Sequence, residues 1–288
     1  MLLRTCSITS LALASLVAMP GVAKADLAYG TTLEGTLVTF NTAAPGTLLS
    51  GVAISGMQPN ETIRGIDFRP ATGQLYALGS FSRLYTINPA TGVATQVGAM
   101  FSTALNGSQF GFDFNPTVDR IRIVSDADQN LRVHPVTGAV AFVDGTITYA
   151  AGDANFGVNP NVSHAAYTNS FAGATTTALY VIDTGLDVLA LQNANAGTLT
   201  TIGAIGTDIT DMGGFDISPN GNIAYVAVRD NALARTTFWT LSLTTGAGTM
   251  VGEVGGGAIL TSLTVVPAPG AGAALALVSL AAVGRRRR

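Results

Sequence analysis

Cysteine is almost missing from this sequence, and charged residues are scarce. Among its 288 residues only Cys6 is a cysteine, so the chain has no second thiol with which to form an internal disulfide. One thiol is also too few for a metal centre built from several cysteine ligands. Charged residues make up 11% of the chain. We therefore expect the fold to depend on apolar packing and main-chain hydrogen bonds.

Positive charge is scarcer still once the two ends of the chain are set apart. Arg4, Lys24 and the arginines at 285–288 account for six of the 14 cationic residues. Residues 26–266 then hold eight arginines against 17 acidic residues, a net charge of about −9. A surface of that sign repels phosphate backbones, and no basic stripe overrides it. We therefore expect no nucleic-acid partner.

The beginning of the chain has the organisation of a secretory signal peptide. A cationic start at Arg4 precedes an apolar run over residues 8–19, and Ala23 and Ala25 are small residues two positions apart. Because this order is typical of cleaved export signals, we expect the export machinery to remove residues 1–25. An amphipathic structural helix is the alternative, and the apolar character of the whole run disfavours it.

Residues 267–288 form a second targeting element, in which prolines precede an apolar run over residues 271–283 and arginines follow it. The residues that mark it for processing are Pro267, Pro269, Arg285 and Arg286. This order resembles the PEP-CTERM sorting signal of bacterial surface proteins, and the resemblance implies processing by an exosortase-type enzyme. A plain tail anchor is the alternative, because the extended run approaches the ~20 residues that a bilayer core needs. Both alternatives keep the protein at the cell envelope, in contact with the membrane only through the tail.

Internal repeats dominate the rest of the chain. Residues 65–70, 111–116 and 214–219 share the pattern Gly, apolar, Asp, apolar, polar, Pro, and residues 156–160 form a looser copy. Each copy is followed by three runs rich in β-branched and aromatic residues, separated by Pro, Asn, Asp and Gly. This pattern predicts four strands per unit. An insertion at residues 170–177 makes the third unit longer, and we interpret it as a surface loop.

Repeats of this length predict an all-β fold, a β-propeller of four-stranded blades. The four units supply four blades, and residues 27–54 contain three more strands. Residues 262–267 match the first strand that this fifth blade lacks. We therefore predict five blades over residues 26–266, with the last blade closed by strands from both ends. Closure removes long unpaired edges. Six blades are the alternative.

The same segments carry a family resemblance. Residues 65–76, 110–122 and 149–161 resemble an uncharacterised bacterial family known as domain of unknown function 4394. The resemblance covers most of the chain from about residue 30 to residue 266. It implies relatives with similar export signals, but it implies no activity and no site residues.

Three aspartates recur at the same position of the repeat. Alternation along a strand places Asp67, Asp113 and Asp216 on the face opposite their apolar neighbours. They could form an acidic ring at the propeller axis that binds a cation. They could instead accept hydrogen bonds from turn backbone between blades, and their recurrence favours this interpretation. Gly157 and Thr264 occupy the equivalent positions in the other two blades, so an acidic ring would be incomplete.

The second unit concentrates charge in a chain that has little. Its charged and polar residues are Asp119, Arg120, Arg122, Asp126, Asp128, Asn130 and Arg132. Asp126, Asp128 and Asn130 have the one-three-five spacing that begins many calcium loops. Leu131 stands where such a loop has glycine, and Thr137 where it has an acidic residue. A solvated turn with local Arg–Asp pairs is therefore favoured over calcium, and no other cofactor is predicted.

The two histidines do not suggest a catalytic pair. His134 takes the turn position that Asn88 holds in the first unit, and His164 is expected at a strand edge. The two lie in different units, at a separation that is not a metal-ligand spacing. Trp239 falls within a strand pattern and is expected in a blade core.

No catalytic constellation emerges from these residues. We therefore predict a non-enzymatic exported surface or extracellular-matrix protein that uses its propeller as a platform for binding a glycan or a surface protein. The alternative is a propeller hydrolase or lyase that acts on an extracellular substrate, since one fold can host either function. An enzyme should bring the charges of the second unit and the recurring aspartates together in one deep pocket.

Overall fold

The computed structural model describes residues 25–230 and 234–266. The predicted sorting signal and, except for Ala25, the predicted signal peptide lie outside the described residues. Within the described ranges no helix is both long enough and apolar enough to span a membrane.

The described chain is built from β-strands. In chain order they are β1 (Leu27–Thr32), β2 (Thr36–Asn41), β3 (Ala44–Ala53), β4 (Ile63–Phe68), β5 (Leu75–Gly79), β6 (Arg83–Ile87), β7 (Ala94–Val97), β8 (Phe110–Asn115), β9 (Arg120–Ser125), β10 (Asn130–Val133), β11 (Val140–Val143), β12 (Thr148–Tyr149), β13 (Val162–Tyr167), β14 (Leu179–Asp183), β15 (Val188–Gln192), β16 (Thr198–Ala204), β17 (Gly213–Ile217), β18 (Ala224–Asp230), β19 (Arg235–Leu241), β20 (Gly248–Glu253) and β21 (Leu260–Val266). A single 3-10 turn at Gly255–Gly257 precedes the last strand.

The strands form five antiparallel sheets, which are the blades of a propeller. Blade 1 contains β4 to β7, blade 2 contains β8 to β11, blade 3 contains β13 to β16, and blade 4 contains β17 to β20. The closing blade has the order β21-β1-β2-β3. The inner strands β4, β8, β13, β17 and β21 each pack against the next one around the ring. The predicted all-β propeller with five blades is therefore confirmed.

The closing blade joins the two ends of the domain. β1 pairs with β21 in antiparallel register, with Leu27 opposite Val266 and Ala28 opposite Val265. Each hydrogen bond of such a ladder contributes about 0.5–1.5 kcal/mol. The predicted closure by strands from both ends is confirmed.

Burial decreases from the ring axis outward, which explains the composition of the strands. β8 is buried at every position except its last residue, whereas β11 at the rim of the same blade is mostly exposed. A strand covered on both faces needs a nearly continuous apolar run, and a rim strand does not. Aromatic contacts join neighbouring blades: the rings of Tyr76 and Phe114 lie 5.2 Å apart, as do those of Phe40 and Phe238.

Blade 3 departs from the prediction. Residues 156–160 do not form its first strand but belong to the loop before β13, and Phe156 is 64% exposed. The inner strand is β13, and Ala166 rather than Gly157 takes the position of the recurring aspartates. The short strand β12 adds a parallel fifth strand at the outer edge, beside β16. The insertion at residues 170–177 lies in the connection between β13 and β14, as predicted.

Trp239 packs at the edge of a core shared by blades 3 and 4, which agrees with its predicted place in a blade core. Its indole N–H donates a hydrogen bond of 2.9 Å to the Thr237 hydroxyl. This bond satisfies the polar group of a partly buried indole.

Candidate functional site

Three carboxylates meet on the axis of the ring. Asp67 on β4, Asp113 on β8 and Asp216 on β17 are 3%, 1% and 3% exposed. One carboxylate oxygen from each lies within 4.8 Å of those of the other two. The three side chains, called the aspartate triad below, therefore form the acidic ring that the repeat pattern suggested.

Each aspartate of the triad also binds the backbone of the next blade. The amide N–H of Phe114 donates to Asp67 at 2.8 Å, and that of Tyr167 donates to Asp113 at 2.9 Å. In the same way, the amide N–H of Val265 donates to Asp216 at 2.5 Å. These donors lie on inner strands rather than in turns. The recurring aspartates thus serve both interpretations, since they form an acidic ring and also hydrogen-bond between blades.

The two remaining positions of the ring differ from each other. Ala166 brings no polar group, whereas the hydroxyl oxygen of Thr264 lies 3.0 Å from both Asp67 Oδ1 and Asp216 Oδ2. A hydroxyl has one proton and can donate it to one carboxylate at a time. A neutralising proton or cation between these oxygens would satisfy the second contact.

Burial dominates the electrostatics of the triad. It raises the pKa of Asp67 and of Asp113 well above the usual value, and the negative charge of the neighbouring triad members adds to both shifts. Burial also raises the pKa of Asp216 to about 6, against the opposing effect of its hydrogen bonds. Like charges buried this close together cannot all remain ionised. The triad therefore needs bound protons or a bound cation near neutral pH.

The triad could hold a metal ion. Its donor set consists of three carboxylates and the Thr264 hydroxyl, and oxygen ligands of this kind suit hard divalent cations such as calcium and magnesium. Asp67 also lines a recess of about 290 Å³ at the end of the ring where the inner strands finish. Asp67 is the member of the triad that borders this recess.

Glycines next to the triad explain the rest of the repeated motif. A Cβ atom on Gly65 would lie 2.5 Å from Phe112 Cβ, and one on Gly111 would lie 2.6 Å from the amide nitrogen of Ala165. At Gly214 the corresponding distance to the amide nitrogen of Leu263 is 2.2 Å. Any side chain would force the inner strands apart. The space between the five inner strands is reduced here to about 20 Å³, which is room for about one water molecule.

A much larger cavity of about 500 Å³ opens at the end of the ring where the inner strands begin. We call it the axial cavity. Leu33, Ile54 and Met57 are among its apolar lining residues, and Arg64 and Gln109 are among its polar ones. Elements of several blades contribute, so the ring itself holds the walls in place.

One acidic residue in the wall of the axial cavity is already neutralised. The carboxylate of Glu61 accepts hydrogen bonds from the Tyr85 hydroxyl at 2.5 Å and from the amide N–H of Phe81 at 3.0 Å. The guanidinium of Arg83 lies 3.6 Å from the same carboxylate. Burial, and then the bond to Glu61, raise the pKa of Tyr85 to about 12, so its hydroxyl remains a donor.

A basin of about 350 Å³ adjoins the axial cavity and shares Gln109 and Met212 with it. Arg229 lines this basin, and its Nη1 donates to the sulfur of Met212 at 3.5 Å. Asp211 adds an acidic group to the same basin, and its carboxylate accepts a hydrogen bond of 3.0 Å from the side-chain amide of Asn161. The basin is therefore more polar than the axial cavity.

The expected position of His164 at a strand edge is wrong. His164 lies on the inner strand β13 and is buried, and its Nε2 is 3.2 Å from the carbonyl oxygen of Thr210. Burial lowers its pKa, which keeps the imidazole neutral at physiological pH. The prediction fails because residues 156–160 resemble the first-strand motif, whereas β13 forms the first strand of this blade. His134 is a turn residue, as predicted, and its Nδ1 accepts from the amide N–H of Val136 at 3.2 Å.

The charges of the second unit do not join the aspartate triad. Arg122 is only 1% exposed, and it donates to Asp144 at 2.7 Å and to Asn130 Oδ1 at 2.6 Å. Arg132 donates to the same Asp144 at 2.6 Å. Arg122 also reaches Asn195 of blade 3 at 3.3 Å. The expected solvated turn is therefore wrong for Arg122, because its partners satisfy a guanidinium that is buried between two blades.

The residues of the suggested calcium loop have separate partners. Asp126 accepts from the amide N–H of Ser108 at 2.8 Å, and the side-chain oxygen of Asn130 is occupied by Arg122. Asp128 has a φ of 59°, and its Oδ1 is buried with no hydrogen-bond partner in the described part of the chain. Calcium binding by this loop stays the less favoured alternative, untested by these contacts.

These features define a five-bladed β-propeller with an aspartate triad on its axis and a cavity at one end of the ring. The chain belongs to the family described as Domain of unknown function (DUF4394), whose profile matches residues 36–264. The family resemblance seen in the sequence is thus confirmed. No curated protein matches the chain.

Several solved structures resemble this fold. A protein from Lactobacillus plantarum is 20% identical, with a TM-score of 0.42, and the match covers 83% of this chain and 71% of that one. The glutaminyl cyclase of Myxococcus xanthus is 12% identical, with a TM-score of 0.45, and the match covers 69% of this chain and 79% of that one. An auxiliary nutrient binding protein from Bacteroides ovatus is 14% identical, with a TM-score of 0.43, and the match covers 69% of this chain and 55% of that one. Similarities this low assign no activity to the chain.

Proposed function

We propose that this protein is an exported, non-enzymatic binding protein whose propeller holds a small ligand, or the end of a glycan or protein chain, in the axial cavity. The observation that carries the proposal is the cavity of about 500 Å³ on the ring axis. Ligand pockets are commonly about 300–1,000 Å³, mainly apolar and with few polar groups. The axial cavity matches that description in its size, and its lining combines five apolar side chains with a larger number of polar ones.

The structure of the ring supports a binding site that exists before the ligand arrives. The walls of the axial cavity are attached to β1, β4 and β21, which are largely buried; β1 is paired on both sides, and β4 and β21 each pair with one strand of their own blade. A site on rigid elements loses little conformational entropy when the ligand binds. A propeller is therefore well suited to present such a cavity.

The placement of charge supports binding over catalysis. An enzyme was expected to combine the charges of the second unit with the recurring aspartates in one pocket. Arg122 and Arg132 instead converge on Asp144 between blades 2 and 3, while the triad is enclosed by the inner strands. This separation favours the binding role over the hydrolase or lyase alternative.

Export and retention at the cell envelope are part of the proposal. They are supported by the signal-peptide pattern of residues 1–25 and by the sorting-signal pattern of residues 267–288. We expect deletion of residues 271–288 to release the protein into the medium. Continued retention in the membrane fraction would contradict a role of the tail in anchoring.

A cavity-filling substitution tests the binding role. Thr62 lines the axial cavity, is exposed and makes no side-chain hydrogen bond within the described ranges, so Thr62→Trp adds bulk there at little cost in stability. The full chain would be incubated with immobilised glycans and with cell-envelope extract, and captured ligands identified by mass spectrometry. We expect Thr62→Trp to lose a ligand that the unchanged chain captures.

Thr72→Trp is the control, because Thr72 is also exposed but lies in the β4–β5 turn at the other end of the ring, where its one side-chain hydrogen bond is to the exposed Gln74. It should retain the ligand. Equal capture by the unchanged chain and by Thr62→Trp would show that the axial cavity is not the binding site.

A further inference from the structure

The axial cavity contains a positive charge that has no partner among the described residues. Arg64 on β4 lines the cavity and is half-buried. Its guanidinium forms no ion pair and no hydrogen bond within the part of the chain that the structure describes. We infer that the ligand of the axial cavity is an organic acid with an apolar body, whose carboxylate binds Arg64. This inference rests on the proposed binding function.

Arg64 differs in this respect from every other arginine in residues 26–266. The other seven donate to a side-chain or backbone oxygen or, in one case, to a sulfur: they are Arg69, Arg83, Arg120, Arg122, Arg132, Arg229 and Arg235. In a chain so poor in cations, a half-buried guanidinium kept without a partner is available for a ligand. A carboxylate can accept two parallel N–H bonds from it.

The acidic residue nearest in the cavity wall does not neutralise Arg64. Glu61 is occupied by the Tyr85 hydroxyl, by the amide of Phe81 and by the charge of Arg83. The cavity therefore retains the positive charge of Arg64. Gln109 lines the same cavity, and its side-chain amide has no hydrogen-bond partner among the described residues, so it offers a second donor.

The other walls combine apolar side chains with hydroxyl-bearing ones, and the apolar part determines the body of the ligand. Leu33, Ile54 and Ile63 present aliphatic groups to the cavity, and Met57 and Met212 present thioethers. Methionine side chains adapt to the shape of an apolar partner. Burying such a surface against a ligand is favourable only if that part of the ligand is itself apolar. A compact inorganic anion would leave these walls without contacts.

Calorimetric titration of the full chain with octanoate and with octanol tests the inference, because the two probes share an apolar chain and differ in the anionic group. We expect octanoate to bind about 10- to 100-fold more tightly than octanol, as charge-assisted hydrogen bonds of this kind imply. Arg64→Gln should weaken octanoate binding to the level of octanol and leave octanol binding unchanged. Arg64→Lys, which keeps the charge without the two-pronged donor, should give an intermediate affinity.

Arg120→Gln is the matched control, since Arg120 bonds only to nearby backbone carbonyls and lies outside the axial cavity. It should leave both affinities unchanged. If octanol binds as tightly as octanoate, or if Arg64→Gln keeps the preference for octanoate, the inference is wrong while the proposed cavity still binds ligands. If neither probe binds, the inference also fails, and the Thr62→Trp capture experiment decides separately on the proposed function.

Discussion

In blade 2, a carboxylate oxygen of Asp113 accepts a hydrogen bond of 2.9 Å from the backbone N–H of Tyr167 in blade 3. The same contact joins blade 1 to blade 2 and blade 4 to the closing blade. A buried amide that lost such a partner would cost about 1–3 kcal/mol. The aspartates therefore stabilise the ring through hydrogen bonds, while their mutual repulsion destabilises it, and pH decides the balance.

The first prediction concerns that balance. The folded-state pKa of Asp216 is raised to about 6, so its carboxyl binds its proton more tightly in the folded chain than in the unfolded one. This contribution to stability is complete below the ordinary pKa and is lost as the pH rises through about 6. About 2 kcal/mol of it should be lost between pH 4.5 and 8. Urea unfolding of the full chain between pH 4.5 and 8, with chelator present, measures the change.

Asp113→Asn should flatten this pH dependence, because an amide keeps the acceptor for Tyr167 and removes one charge from the triad. The variant should be more stable than the unchanged chain at pH 8. Asp208→Asn, at an exposed position, is the control for loss of a charge and should follow the unchanged chain. Parallel pH profiles for all three proteins would show that the triad does not titrate as described.

The second prediction concerns divalent cations. A cation that neutralises the triad binds only the folded chain and therefore stabilises it by mass action. At pH 8 we expect millimolar calcium to raise the melting temperature and a chelator to reverse the increase. The rise should disappear in Asp113→Asn and persist in Asp126→Asn. The opposite pattern would place the ion in the loop that contains Asp126, and no shift in any of the three proteins would exclude calcium from both places.

The third prediction concerns the glycines of the inner strands. Gly214→Ala places a Cβ atom where the amide nitrogen of Leu263 would be 2.2 Å away. Since backbone cannot move aside as a flexible side chain can, we expect a loss of about 2–3 kcal/mol. Gly51→Ala on the outer strand β3 meets its nearest atom at 3.6 Å and should change stability little. Both values come from denaturant midpoints, and equal stability of the two variants would contradict the close strand packing.

The fourth prediction compares a buried and a partly exposed ion pair. Arg122→Met removes the guanidinium between Asn130 and Asp144 and should cost about 1–3 kcal/mol, because the buried Asn130 oxygen loses its donor while Arg132 still pairs with Asp144. Arg69→Met breaks the pair with Asp119, whose side chain is 35% exposed, and should cost about 0–1 kcal/mol. Thermal or urea unfolding distinguishes the two, and a mild effect of Arg122→Met would show that the buried network contributes little.

The ring could be predicted where the repeat is intact. The pattern around Asp67, Asp113 and Asp216 marks three inner strands, and the missing strand at one end matched a surplus strand at the other. The inner strand of blade 3 could not be predicted from the repeat, because β13 has His164 and Ala166 where β4, β8 and β17 have glycine and aspartate. Residues 156–160 resemble the motif in sequence. Such a local resemblance does not show which segment is buried on both faces in the folded chain.

The sites were only partly predictable, because their members are distant in sequence. The triad followed from the repeat, since equivalent positions of different blades meet on the axis. The burial of Arg122 did not, because its partners Asp144 and Asn195 lie 22 and 73 positions further along the chain. The axial cavity is formed by loops and strand ends of several blades, and nothing in the sequence of any one of them indicates a cavity.

The pairing of Leu27 with Val266 places the first and last strand residues at the same end of the ring. Both residues lie where the inner strands finish, whereas Arg64 and the axial cavity lie where the inner strands begin. The first and last strands thus leave the ring on the side opposite the cavity. A propeller fixed to any surface through residue 266 would turn the end that carries Val266 and the smaller recess toward that surface and hold its axial cavity open to the surroundings.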